Sequence, residues 1–185
     1  MINKKIKIAG IDPSLTNTGI CVGEYNLDTG EYTLDNIYLI ETAPTKNKQI
    51  RRNSDDLSRC KDIAEAIYKH CKDCSFVFAE IPTGAQSSRA AFAFGMVIGL
   101  LAGVTASENT KWRLIQVSPS EAKSNVPNGT KNTSKPEIMD WAWKKFPHLQ
   151  WQVRKDKLIS KMEHPADAIA ILNAGIKLPQ FLDSI

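Results

Sequence analysis

The stretch Ile6 to Val22, IKIAGIDPSLTNTGICV, constrains this chain more than any other. Ile6 and Ile8 alternate with Lys5 and Lys7, and the run then turns apolar through Ala9, Gly10 and Ile11, the pattern of a strand entering a buried sheet. One acid, Asp12, stands at its end. Pro13 removes an amide hydrogen and fixes its own φ, while Ser14, Thr16, Asn17 and Thr18 are turn formers, so the strand stops at Asp12 and the chain returns near Gly19. An acid on a strand end beside a tight polar turn either caps that turn or has chemistry to perform. The other elements decide between the two.

The returning strand runs from Gly19 to Tyr25, and Asp28-Thr29-Gly30 turns the chain into a third strand from Tyr32 to Ile40, so three antiparallel strands open the fold. Residues 43–53 carry Lys46, Lys48, Arg51 and Arg52 with no acid, which reads as an exposed basic loop. Ser54 followed by Asp55 and Asp56 signals a helix start, after which Leu57, Cys60, Ala64, Ile67 and Cys71 recur at helical steps as one buried face. Cys71 and Cys74 form a single C-x-x-C beside His70. Without a second pair at matching spacing, it reads as the end of the helix in preference to a zinc knuckle.

Phe76 to Ala79 is a short apolar run ending on Glu80, with Pro82 just beyond. A crossover helix precedes it, so it reads as a fully buried central strand parallel to the first. Glu80 then ends its strand as Asp12 ends its own. Two ionised carboxylates so placed repel unless a cation lies between them, or unless a partner such as Arg89 forms an ion pair. Residues 90–106 carry no charge, but the run is short for a membrane span, holds three glycines and interrupts an αβ pattern, so it reads as a buried helix. Gly95, Gly99 and Gly103 leave one face of it bare, which calls for close approach by the sheet or a partner subunit.

A further strand runs from Trp112 to Val117, and Pro119 starts a short helical stretch with Glu121 and Lys123. Residues 124–134 are loop by composition. Ser134, Pro136 and Glu137 open a helix on which Ile138, Trp141, Ala142 and Lys145 fall at helical steps, and residues 147–162 show no readable period. From Lys123 to Lys161 nine lysines and arginines face three acids. The net charge of +4 thus hides a basic half suited to a phosphate backbone. In EHPADAIAILNAGI, Pro165 suits the first helical turn, which places Asp167 in that turn, near the partial positive charge of the helix end and on the same face as His164. At 185 residues, 42% hydrophobic, the chain is expected to form one domain over 1–185. Its N-terminus, Met-Ile-Asn-Lys-Lys, enters a strand pattern instead of an apolar leader, which suits a cytoplasmic protein with no membrane role.

In order and spacing, GIDPSLTNTG, FVFAE and HPADAIA resemble the RuvC family of Holliday-junction resolvases, which have the ribonuclease-H-like fold. Between these motifs, DDLSRCKDI, FGMVIGLLAGV, VSPSEAK, NGTKN and SKPEIM continue the likeness over almost the whole chain. Ser14 stands where the family usually has glycine, and SNVPNG replaces a glycine-rich stretch, which suits a phage or otherwise divergent member. The resemblance implies an α/β fold with a mixed five-stranded sheet, three antiparallel strands then two parallel, flanked by helices. It implies catalytic metal ligands at Asp12, Glu80 and Asp167, with His164 or Glu163 as the fourth, and two Mg²⁺ or Mn²⁺ ions, one shared by Asp12 and Asp167 and the other by Asp12 and Glu80. DNA contacts are expected from Lys123, Lys135, Arg89, Lys131, Arg51 and Arg52. The implied function is that of a homodimeric endonuclease that resolves four-way DNA junctions to 5′-phosphate and 3′-hydroxyl ends. Two alternatives stay open, a non-catalytic branched-DNA-binding protein on the same fold, and a fragment of an actin- or sugar-kinase-like ATPase, which would need a second domain and a glycine-rich adenosine motif.

Overall fold

A computed structural model describes residues 4–81, 84 and 87–185; residues 1–3, on which the absence of a leader was read, and Pro82 lie outside the described residues. Strands β1 (Lys5–Asp12), β2 (Asn17–Asn26) and β3 (Tyr32–Glu41) are antiparallel and are followed by helix α1 (Arg52–Cys71). Then come β4 (Phe76–Glu80), α2 (Ser88–Thr105) and β5 (Arg113–Val117). The sheet order is β3-β2-β1-β4-β5, with β4 parallel to both β1 and β5. The mixed five-stranded sheet expected from the sequence is therefore present.

Two apolar layers cover it. Ala9, Ile11, Val77 and Ala79 face α1 and α2, while Ile8, Phe76 and Phe78 face α3 (Pro119–Ser124), α4 (Lys135–Lys145) and α5 (Glu163–Gly175). A short α6 (Pro179–Leu182) brings Phe181 edge-on to Tyr25, Phe76 and Phe78. Helix α5 is buried almost throughout. Its close docking needs glycines below it: a Cβ on Gly10 would lie 2.2 Å from the Ala168 carbonyl oxygen, and one on Gly19 would lie 2.0 Å from that of His164.

Four readings of the sequence change. The buried side of α1 runs through Asp56, Arg59, Ile63, Ile67 and Cys71, and Leu57 is 68% exposed, because a charged pair takes the place of the first apolar turn. Helix α2 is long and apolar enough to cross a membrane but is not a buried helix. Only Val97 and Leu101 are buried, and Gly95, Gly99 and Gly103 open onto empty space with no atom of the sheet near them. Residues 153–158 form a small hairpin, β6 (Val153–Arg154) and β7 (Lys157–Leu158), turning on Lys155 and Asp156 at positive φ. Finally, a 3₁₀ turn (Ser160–Met162) runs straight into α5, so Glu163 occupies its first turn and Asp167 lies one turn further in.

Candidate active site

Strand parity sets the site. Side chains alternate across a sheet, and Ile11 pairs with Ala79 on the α1 side, so the next residues, Asp12 and Glu80, both belong to the α5 side of neighbouring strand ends. Helix α5 brings His164 and Asp167, three residues apart, to the same place. A cleft of about 300 Å³ is lined by all four of these side chains together with Lys123 and Lys135. Its apolar wall is made by Phe94, Pro119, Ala122, Ile138, Ala170 and Ile171. Sequence reading had no means of finding these wall residues, since they come from four separate helices and carry no chemistry of their own.

Polar contacts fix the arrangement. His164 Nδ1 donates to Asp12 Oδ2 at 2.8 Å, which leaves Nε2 turned toward Glu163 Oε1 at 3.5 Å. Lys135 Nζ lies 3.1 Å from Glu163 and 3.9 Å from Asp167. Capping carboxylates prepare both lysine-bearing helices: Glu121 accepts from the Ser118 amide at 2.7 Å, and Glu137 from the Ser134 amide at 2.7 Å. Lys135 is therefore the first residue of a firmly started helix. On the far side of the cleft, the Thr18 hydroxyl bonds the Ser14 carbonyl at 2.7 Å and closes the turn after Asp12.

Electrostatics single out two of the acids. Burial, and then the nearby Asp12 carboxylate, push Glu80 up to about 7 against the pull of Lys123 and Lys135. Burial and Asp12 likewise push Asp167 up to about 7, with Lys135 opposing. Negative charge is thus under-compensated at this spot, and the available donors are hard oxygens with one imidazole, a set that suits Mg²⁺ or Mn²⁺. Among the described residues no three such groups are already drawn close enough to share one ion.

The other expected residues lie elsewhere. Arg89 makes its ion pair with Asp56 at 2.7 Å, not with Glu80. Arg51 and Arg52 are exposed at the start of α1, and Lys131 is exposed in the loop before α4. Cys71 closes α1, and both it and Cys74 are buried in the apolar layer.

No protein-family model matches this chain, and no curated protein matches it in sequence. Solved structures do. RuvC of Thermus thermophilus in complex with a Holliday junction substrate aligns at a TM-score of 0.63 and 18% identity, covering 91% of this chain and 92% of that one. A second Thermus thermophilus RuvC structure gives 0.62 and 20% over the same shares. The Holliday junction resolvase of fowlpox virus gives 0.57 and 14%, covering 93% of this chain and 99% of that one. The chain shares the ribonuclease-H-like fold of these proteins over nearly its whole length.

Proposed function

We propose that this protein is a metal-dependent endonuclease that resolves four-way DNA junctions. The observation that supports it is the convergence of Asp12, Glu80 and Asp167 with Lys123 and Lys135 on one cleft, in a fold shared with resolvases. Asp12, Glu80 and Asp167 would hold the divalent ions, with His164 or Glu163 completing the set. Bound there, such ions supply Lewis-acid stabilisation of the charge that develops during phosphodiester hydrolysis.

The chain's own residues do the rest. Lys123 and Lys135 offer ammonium groups to the non-bridging oxygens of the phosphate at the rim of the cleft. Because Asp12 engages Nδ1 of His164, Nε2 is the ring nitrogen left to act, either as a metal ligand or, where Glu163 completes the ligand set, as a proton acceptor. Phe94 and Ile138 form an apolar wall beside these charges. Hydrolysis needs no covalent enzyme intermediate, and the expected ends are a 5′-phosphate and a 3′-hydroxyl.

The bare face of α2 suits a homodimer. Phe92 and Ile98 are 44% and 40% exposed beside the three glycines, and backbone approach at such a face gives extensive contact at little side-chain cost. Two clefts in one assembly would serve opposed strands of a junction. The test is Asp12→Asn with a synthetic four-way junction in Mg²⁺. Cleavage should fall about a thousandfold or more while junction binding stays within about threefold of wild type. Retained cleavage overturns the proposal.

A further inference from the structure

Asp56 is the unexpected residue of α1. It is 1% exposed, and it accepts from Arg59 Nη1 at 3.1 Å and from both terminal nitrogens of Arg89 at 2.7 Å each. Arg59 is 5% exposed and spends its remaining donors on the turn that follows Asp12. Its Nη2 bonds the Leu15 carbonyl at 2.8 Å and the Thr16 hydroxyl at 3.3 Å, and its Nε bonds the Thr42 hydroxyl at 3.0 Å. The Thr42 hydroxyl in turn donates to the same Leu15 carbonyl at 2.5 Å. Arg89 belongs to the first turn of α2, the helix that follows the strand ending on Glu80. A single buried carboxylate thus links the turn after Asp12, through Arg59, to the first turn of α2.

We propose that Asp56, Arg59 and Thr42 are positioning residues that hold the turn after Asp12, and with it the Asp12 carboxylate, in register with the cleft. The proposal rests on reading the cleft as a nuclease site. Packing alone does not account for the network, since burying a carboxylate and a guanidinium is expensive and an apolar cluster of the same volume commonly holds two helices at least as well. What a guanidinium adds is direction: its donors lie in one plane at fixed angles, so Asp56 sets the plane and Leu15 and Thr42 receive it. The turn is held from its other side as well, where the buried Thr18 hydroxyl accepts from the Ser14 amide at 3.2 Å and bonds its carbonyl. Two successive residues, Ser14 and Leu15, are thereby clamped from opposite elements. Asp12 stands just upstream, where a displacement of about 1 Å costs on the order of a hundredfold in rate.

The test compares Asp56→Asn, Arg59→Lys, Thr42→Val and Thr42→Ser in the full chain. Junction affinity without Mg²⁺ should stay within about twofold of wild type in all four, while kcat of the first two falls about 10- to 100-fold, measured below each variant's unfolding temperature. Thr42→Val keeps the side-chain shape and loses the bridging hydroxyl, so it should lose kcat, and Thr42→Ser should restore it. Amide exchange over residues 12–18, followed by mass spectrometry, should rise about tenfold in Asp56→Asn and Thr42→Val and stay unchanged over residues 5–11. A lowered Tm with unchanged kcat and unchanged exchange in the turn overturns the proposal, leaving only a structural ion pair. If wild type cuts no DNA, the nuclease reading fails, and turn exchange unchanged in Thr42→Val then overturns the tether as well, whereas selective loosening upholds it.

Discussion

Glu80 and Asp167 each keep a proton to about pH 7, which makes the cleft's charge a function of pH in the physiological range. For an acid whose folded-state pKa is raised, protonation favours the fold. The contribution is present below the ordinary carboxyl values of 4.5 and 3.8 and is lost as pH rises through about 7. The metal-free protein should therefore melt at progressively lower temperature between pH 5 and pH 8 (about that interval, from the two shifts). Glu80→Gln should flatten this dependence, since glutamine occupies the same place without titrating. The same protons compete with a divalent cation, so Mg²⁺ should raise Tm more at about pH 8 than at about pH 5.5, an outcome that differential scanning fluorimetry in EDTA and in Mg²⁺ reads directly. A Tm that rises with pH in EDTA would contradict the assignment of these two groups as the raised ones.

At the scale of elements, the site exists because α5 lies almost in contact with the backbone of β1 and β2. Gly19 is where this is tightest: a methyl group there would meet the carbonyl of His164 at 2.0 Å. Gly19→Ala should destabilise the fold by about 3 kcal/mol, at the upper end of overpacking costs, and lower cleavage further by displacing the start of α5, where His164 sits. Chemical denaturation and single-turnover cleavage measure the two effects separately. Much of this geometry was legible in the sequence. Apolar periodicity and turn signals marked the three antiparallel strands and the buried strand parallel to the first, and the strand-end acids set Asp12 beside Glu80, because parity and crossover direction follow from local pattern; the five-stranded sheet as a whole rested on the family resemblance. The buried side of α1 was not legible, since Asp56 and Arg59 look like solvent-facing charges until their partners from distant segments are known. The hairpin at 153–158 escaped for a local reason. Its turn uses Lys155 and Asp156 at positive φ, where sequence offers no glycine or asparagine to mark it. The start of α5 was misplaced because a 3₁₀ turn leads into it without a capping side chain.

At the scale of the whole molecule, the proposed function asks how a chain of net charge +4 would hold a polyanion. The basic half answers it by placement: Lys123 and Lys135 stand in the cleft, while Lys131 lies in the loop before α4 and Arg154, Lys155 and Lys157 project from the small hairpin, all four of them exposed. Not every lysine there is available. Lys161 is paired with Glu41, and Lys144 lies 2.6 Å from Asp140. If the hairpin meets the phosphate backbone, its lysines release counterions on binding, and each contact adds about 0.9 to the slope of log affinity against log salt on duplex DNA. Lys155→Ala with Lys157→Ala should lower that slope by about 2 and leave the single-turnover rate at saturating protein unchanged, because neither residue lines the cleft. Lys123→Ala should do the reverse, slowing cleavage with a slope change of about 1 or less. Fluorescence anisotropy of a labelled junction between about 50 and 200 mM salt separates the two classes. Equal slopes in wild type and the hairpin variant would remove that hairpin from the DNA surface and leave the cleft lysines, Lys131 and the exposed Arg51 and Arg52 to account for binding.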